Sequence, residues 1–210
     1  MEIQHKELAW QAFAKQENLN EDELAQFKLY YEQLVTYNDD VNLTRITQLD
    51  EVLAYHFRDS LSVCHALPFN EIQSIADIGS GAGFPSIPLK IKYPHLRVTI
   101  IEVSGKRIAF LQRIVDMLGL QHVTLCQQDW RTFLRQHTNP VDYFFARASL
   151  AIPELLRVFK PSSHYRLSTL VYWASDQWQP AEDEIPFMQK SFPYTVGIKQ
   201  RKLVFFVNPH

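Results

Sequence analysis

The sequence predicts an α/β domain whose mostly parallel sheet of seven strands ends in an antiparallel hairpin and carries an N-terminal helical cap. Three observations lead there. From residue 74 onward, short apolar runs rich in β-branched and aromatic residues alternate with stretches of helical periodicity, the pattern of strands whose faces are covered by helices. A turn with glycines at 79, 81 and 83 joins the first run to the helical stretch after it. The last two runs are separated by only four residues, which allows only an antiparallel pair.

In chain order, residues 5–37 place apolar side chains at helical spacing, Leu8 and Phe13 in one stretch and Leu24, Phe27, Tyr31, Leu34 and Val35 in another. Asn18-Leu19-Asn20 divides two helices, and Tyr37 to Asp40 reads as a break. Thr47 with Asp50 resembles a weak capping arrangement for a helix over roughly 49–65, which Pro68 and Asn70 end. Strands are expected at 74–78, 97–102, 122–126, 141–146 and 167–173, with helices at about 84–92, 105–118, 130–136 and 152–158. The hairpin reads as 195–198 and 203–207, with Lys199-Gln200-Arg201-Lys202 as a basic tip. Residues 1–70 are expected to form the cap and 71–210 the ligand-binding domain, in one compact unit.

Composition limits the function. With 46% hydrophobic residues in 210, the chain can build one sizeable core. No apolar run approaches the ~18 residues needed to span a bilayer, and Met1 leads into a mixed polar stretch, so a cytoplasmic protein without a membrane partner is expected. Cys64 and Cys126 lie far apart without neighbouring ligands, pointing to neither a disulfide nor a metal site. Lys plus Arg number 21 against 23 acids, so any nucleic-acid contact must be a local patch.

The loop Asp77-Ile78-Gly79-Ser80-Gly81-Ala82-Gly83 lets the backbone approach a ligand closely. Phe84-Pro85 follows Gly83 where a triphosphate site would need Lys and Ser/Thr, which excludes the Walker pattern. A carboxylate at Asp77 would repel pyrophosphate but suits a ligand with an ammonium and a sulfonium, and S-adenosylmethionine carries both. Asp77 could instead brace the turn through backbone N–H groups. Glu102, 25 positions later at the end of the second strand, can accept from ribose hydroxyls, or pair on the surface with Lys106 or Arg107. Asp129 can bond the adenine amino group or cap the helix beginning near Trp130.

Taken with these residues, the chain resembles the RsmG (GidB) family of methyltransferases over about residues 20 to 207. The resemblance is carried by Asn42-Leu43-Thr44, His56-Phe57-Arg58-Asp59-Ser60, the loop 77–85 with Pro88-Leu89, Ser104-Gly105-Lys106-Arg107, Phe110-Leu111 and Ala146-Arg147-Ala148. It implies the class I methyltransferase (Rossmann-like) fold, S-adenosyl-L-methionine as cofactor, and methylation of guanine N7 in small-subunit ribosomal RNA, with free RNA and an assembled or partly assembled subunit both open as the substrate form. It places the cofactor at Asp77, Gly79, Ser80, Gly81, Gly83, Phe84, Glu102, Asp129, Trp130 and Arg147. The chain departs from the family at Ser86, where glycine is usual, at Asp129-Trp130-Arg131, and at Leu170 to Ser175, where an Ala-Leu-Lys-Gly string is usual. The last departure means either that the lysine's contact is replaced from elsewhere or that the target is lost or changed. The alternatives are therefore a methyltransferase with another substrate and an idle cofactor- or RNA-binding member; a redox enzyme binding a dinucleotide comes third.

Outside the loop, Arg147 is the foremost cation, able to hold an RNA phosphate or the base, or to pair with an acid such as Asp142 or Glu154. His56 and Asp59 share a helix face and are expected to tie that helix to the glycine-rich domain. Trp173 and Trp178 could stack on a base, though large aromatics usually fill cores.

Overall fold

The computed structural model describes residues 2–209. Helix α1 (Glu2–Glu17) is followed by α2 (Glu21–Val41), whose start is fixed by a capping box in which Asn20 accepts from the Glu23 N–H and the Glu23 side chain accepts from the Asn20 N–H. The break expected at 37–40 does not occur. The helix runs on to Val41 and stops at Asn42, which takes a left-handed conformation (φ 51°) tolerable for Asn. Phe13, Phe27 and Leu34 are core residues as their spacing implies, but Leu8 is 58% exposed and Trp10 and Tyr30 fill the interior beside them.

Residues 49–65 form one helical segment of changing pitch: α3 (Leu49–Val52), a π-helical stretch Leu53–Arg58, α4 (Asp59–Leu61) and a 3₁₀ turn Ser62–His65. Gln48, not Thr47, occupies the cap position, and it makes no side-chain cap bond. The π stretch is the local irregularity that often marks a functional surface.

Seven strands follow: β1 (Ser74–Ile78), β2 (Arg97–Ile101), β3 (Val123–Cys126), β4 (Tyr143–Arg147), β5 (Thr169–Ser175), β6 (Met188–Val196) and β7 (Lys199–Phe206). They lie in the order β3-β2-β1-β4-β5-β7-β6, all pairs parallel except those made by β7. The order reverses between β1 and β4, the switch point outside whose carboxyl ends such sheets bind ligands. Helices α5 (Ser86–Lys92), α6 (Gly105–Met117), α7 (Trp130–Gln136) and α8 (Ile152–Leu155) cover the faces. Alternation along each strand divides the core. Ile75 and Phe145 pack with the cap, α5 and α6, while Ala76 and Phe144 pack with α7 and α8.

The hairpin differs from expectation. Its turn is Gly197-Ile198, with Gly197 at φ 56°, and the basic residues from Lys199 onward lie within β7 rather than at a tip. Strand β6 begins at Met188, well before Tyr194, and includes Pro193. Proline signals a break in sequence, but at a sheet edge its missing N–H costs no ladder bond. Among the described residues no helix is long and apolar enough to cross a membrane.

Candidate functional site

The loop after β1 is glycine-rich for three separate reasons. A Cβ at Gly79 would lie 2.7 Å from the Ser149 Cβ, and one at Gly83 would meet Ile87 Cγ1 at 2.6 Å. A Cβ at Gly81 would meet no protein atom within 4 Å. All three have positive φ, but only Gly81 faces open space, where a ligand's approach rather than protein packing sets the limit. The loop is held from both sides. Gly79 N–H donates to the Ile101 carbonyl (2.7 Å), Gly81 N–H to Glu102 Oε2 (3.1 Å), and the Tyr30 hydroxyl of the cap to the Ala82 carbonyl (2.5 Å).

Asp77 is fully buried at the end of β1. Its Oδ2 accepts from Ser86 N–H at 3.1 Å, bracing the turn into α5, while its Oδ1 has no partner. Burial raises its carboxyl to about 6, against the opposing hydrogen bonds from Ser86 and the charge of Arg147. Ser80 Oγ and Ser149 Oγ are likewise buried without partners. Three orphaned oxygens on or beside one loop are uncommon in a settled core. They fit a polar ligand with donor groups, and an ammonium suits the carboxylate among them.

Glu102 is buried too, and its surface pairing is only partial. Oε1 accepts from Ser104 N–H at 3.0 Å, and Arg107 stands 3.6 Å from Oε2. Asp129 is the N-cap of α7, accepting from Arg131 and Thr132 N–H, so the capping alternative describes its present bonds. Trp130 is buried and donates through Nε1 to the Glu154 carbonyl. Gly79, Glu102, Asp129 and Trp130 line one cleft of about 430 Å³ with Ile101, Arg107 and Ser149. Asp77, Ser80, Gly81, Gly83 and Arg147 do not line it, and neither does Phe84, which is buried and stacked on His56 with ring centroids 4.5 Å apart.

Arg147 closes β4 but pairs with neither Asp142 nor Glu154. Its Nη1 donates to Asp59 Oδ2 (2.8 Å) and the Tyr55 carbonyl (3.2 Å), its Nη2 to His56 Nδ1 (3.3 Å). Asp59, fully buried, also accepts from Arg201 (2.9 Å) and from the Tyr194 hydroxyl (2.7 Å). This one carboxylate, at the start of α4 directly after the π stretch, joins that helical segment to β4, β6 and β7, the tying role expected of the His56/Asp59 face. Burial, then the charge of Arg147, depresses His56 to about 3, so its ring stays neutral. Nδ1 therefore accepts and Nε2–H donates to Thr44 Oγ1 at 2.7 Å. Trp173 is core, donating to the Asp59 carbonyl, and Trp178 packs on Tyr172 and Phe206. Neither tryptophan is a free stacking platform. Lys199 lies over the Tyr55 ring at 4.1 Å.

Sequence reasoning missed Tyr30, Ser149 and the breadth of the Asp59 cluster. Tyr30 lay within the helical spacing beside Phe27 and Leu34. Ser149 gave no signal, because its place over Gly79 depends on the left-handed backbone of Ala148 (φ 51°).

A family model described as rRNA small subunit methyltransferase G (GidB) matches residues 23–204. The chain belongs to the GidB family. GidB relatives bearing that same name include one from Bacillus subtilis, 45% identical over 116 residues (55% of this chain, 48% of the relative). Another, from Geobacillus thermodenitrificans, is 45% identical over 146 residues (69% and 61%). The chain thus spans about half to three fifths of the length of these GidB relatives. Two solved structures share the fold: a S-adenosylmethionine-dependent methyltransferase from Aquifex aeolicus (TM-score 0.55, 17% identity, 79% of this chain and 97% of that one) and a putative methyltransferase from Escherichia coli (TM-score 0.55, 13% identity, 71% and 86%). The class I methyltransferase fold implied by the sequence is the fold observed, a mostly parallel seven-stranded sheet with one antiparallel hairpin.

Proposed function

We propose that this chain transfers a methyl group from S-adenosylmethionine to N7 of a guanine in small-subunit ribosomal RNA, in the cytoplasm. The observation that carries the reading is the cleft at the β1/β4 switch point, lined by Gly79, Glu102, Asp129, Trp130 and Ser149, beside a loop in which Gly81 faces open space and Asp77 and Ser80 keep unpartnered oxygens. A family model covering most of the chain supports it. The cap, 1–70, and the cofactor-binding part, 71–210, work as one unit, because Tyr30 holds the loop that must receive the ligand.

S-adenosylmethionine supplies an electrophilic methyl on a sulfonium. Asp77 and the loop hydroxyls hold its polar end, Gly81 lets it approach the backbone, Glu102 accepts from the ribose, and Asp129 and Trp130 border the base. Arg147 is a positioning residue. Fixed by Asp59 and His56 and set over the Phe84 ring at 5.1 Å, it builds the wall between loop and π segment and keeps a positive field beside the acceptor. No side chain has to remove a proton, because guanine N7 offers an in-plane lone pair. Accordingly, His56 is a neutral, doubly bonded structural group. What the protein contributes is alignment, worth ~7–11 kcal/mol in favourable cases.

At the end of β5, where the family's lysine is missing, β7 sets Arg201 and Lys202 opposite Ser175 and Ala174, with Arg201 paired to Asp59 and Lys202 over the Trp178 ring. The test is to map N7-methylguanosine in small-subunit RNA from cells with and without the chain, alongside calorimetry with S-adenosylmethionine and NAD. Unchanged methylation with normal S-adenosylmethionine binding would refute the substrate. Binding of NAD alone would refute the cofactor.

A further inference from the structure

A second groove, of about 380 Å³, lies on the α7/α8 side of the sheet, lined by Arg131, Arg135, Arg157, Lys160, His164 and two serines. Its charge is local. Residues 129–168 carry six Lys/Arg against three acids in a chain whose net charge is −2. Arg131 and Arg135 stand one turn apart on α7, an arrangement of like charges that costs helix stability. Two of the guanidiniums are fixed in place. Glu154 takes Nε and Nη2 of Arg131 at 2.7 and 2.8 Å, and Nε of Arg157 at 2.9 Å. One carboxylate shared between two guanidiniums leaves net positive charge while holding both planes. Hydrogen bonds from Arg131 lower the Glu154 carboxyl to about 2, so the clamp stays charged throughout the working range. Arg135 is steadied by Thr132 Oγ1 at 3.1 Å.

The groove is not isolated. Arg131 also lines the cofactor cleft, and Arg157 and Lys160 also line the next hollow together with Arg166. The cations therefore form a line leading away from the cleft rather than a point, which fits a polymer with regularly spaced negative charges better than one phosphate ion. We propose that this groove grips the sugar–phosphate backbone of the substrate RNA away from the methylated base. The proposal rests on the RNA substrate argued above and adds where the flanking strand lies.

The experiment measures direct binding, independent of methyl transfer, to deproteinised small-subunit RNA from cells lacking the chain, over a range of salt. Arg135→Gln/Lys160→Gln removes two groove cations that lie outside the cofactor cleft and outside the Glu154 clamp. Lys15→Gln/Lys28→Gln removes the same charge from the cap as a control. The groove variant is expected to bind RNA about tenfold more weakly, with a salt slope shallower by roughly 1–2 for two lost phosphate contacts. Its S-adenosylmethionine affinity should match that of the wild type, its melting temperature should be equal or slightly higher because one like-charge pair on α7 is relieved, and the control should bind RNA normally. Equal RNA affinity and slope in groove variant and wild type would overturn the proposal, as would a wild type that fails to bind this RNA at low salt. Loss confined to intact subunits, with naked RNA bound normally, would overturn it in favour of an acidic protein partner. Absence of N7-methylguanosine with these binding differences intact would instead refute the reaction and leave the groove standing.

Discussion

Replacing Asp77 with Asn separates what the residue costs the protein from what it gives the ligand. The carboxyl is fully buried, one oxygen is unpartnered, and burial raises it from 3.8 to about 6. At about 1.4 kcal/mol per pH unit, that difference corresponds to roughly 3 kcal/mol. The sign follows from proton binding. Between pH 4 and 6 the folded state holds a proton that the unfolded chain has released, so wild-type stability falls as pH rises through that window and the loss is complete above 6. Asparagine has no such titration. Relative to wild type, Asp77→Asn should therefore gain roughly 3 kcal/mol between pH 4 and pH 7.5, or about 6–12 °C in melting temperature for a chain of this size. An amide N–H₂ in place of the orphaned oxygen carries its own desolvation cost of ~1–3 kcal/mol, which shifts the absolute difference but not its pH dependence. Ligand-free thermal melts at the two pH values read the effect. Calorimetry at pH 7.5 should show S-adenosylmethionine bound more than tenfold more weakly by the variant. A melting difference that does not change with pH would refute the buried-charge reasoning, and undiminished cofactor affinity would refute the ligand role.

The other predictions concern neighbouring contacts. Tyr30→Phe should lose ~0.5–1.5 kcal/mol in urea unfolding and raise the cofactor Kd several-fold, because the Ala82 carbonyl loses its partner from the cap. Glu102→Gln should weaken S-adenosylmethionine about tenfold with RNA affinity little changed, read by calorimetry and filter binding, since one of its oxygens holds Gly81. Asp59→Ala should cost about 3–5 kcal/mol by leaving Arg147 and Arg201 without their shared carboxylate, whereas Arg201→Ala should cost much less because Arg147 keeps its pair. Single-turnover transfer at saturating cofactor, saturating RNA and constant ionic strength should be nearly flat from pH 6.5 to 8.5. A tenfold rise per pH unit would mean that a proton is removed, and would point to an amino or hydroxyl acceptor.

Most strands and the long helices were legible because each repeats a burial pattern over several residues. β1 through β5 and α6 fall within about two residues of their expected limits. The failures lie where one residue overrode the local pattern. Pro193 broke the pattern over β6, most of which lies before the expected 195–198, since the cost of proline depends on whether a neighbouring strand lies beyond it, which sequence spacing does not reveal. Gly197 captured the hairpin turn two residues before the polar stretch that resembled one, and so turned the expected basic tip into strand residues. Arg201 became an ion-pair partner and Lys199 a cation over an aromatic ring. The π stretch kept its overall helical span, 49–65, but changed pitch at the residues that meet Arg147.

The same contrast runs through the site. The glycine spacing and the two acids could be read because each is a residue type required by backbone geometry or ligand chemistry at a fixed offset. The partners of those residues come from elsewhere in the chain, and nothing local marks them: Tyr30 on Ala82, Ser149 over Gly79, Asp59 on Arg147. Their chemistry also divides. Where the structure only has to hold its shape, as around Asp59, the buried carboxylate is satisfied by two guanidiniums and a phenol. Where a ligand is to be received, Asp77 and Ser80, within four residues of the loop glycine that faces open space, and Ser149, set over Gly79, keep unpartnered oxygens. A buried acid without full compensation opposes folding, so its place at the loop is understandable only if binding restores the missing interactions. On that argument the cofactor should stabilise the wild type more than Asp77→Asn, even though the variant begins as the more pH-resistant protein. The difference between their thermal shifts measures how much of the site's unspent polarity the ligand uses.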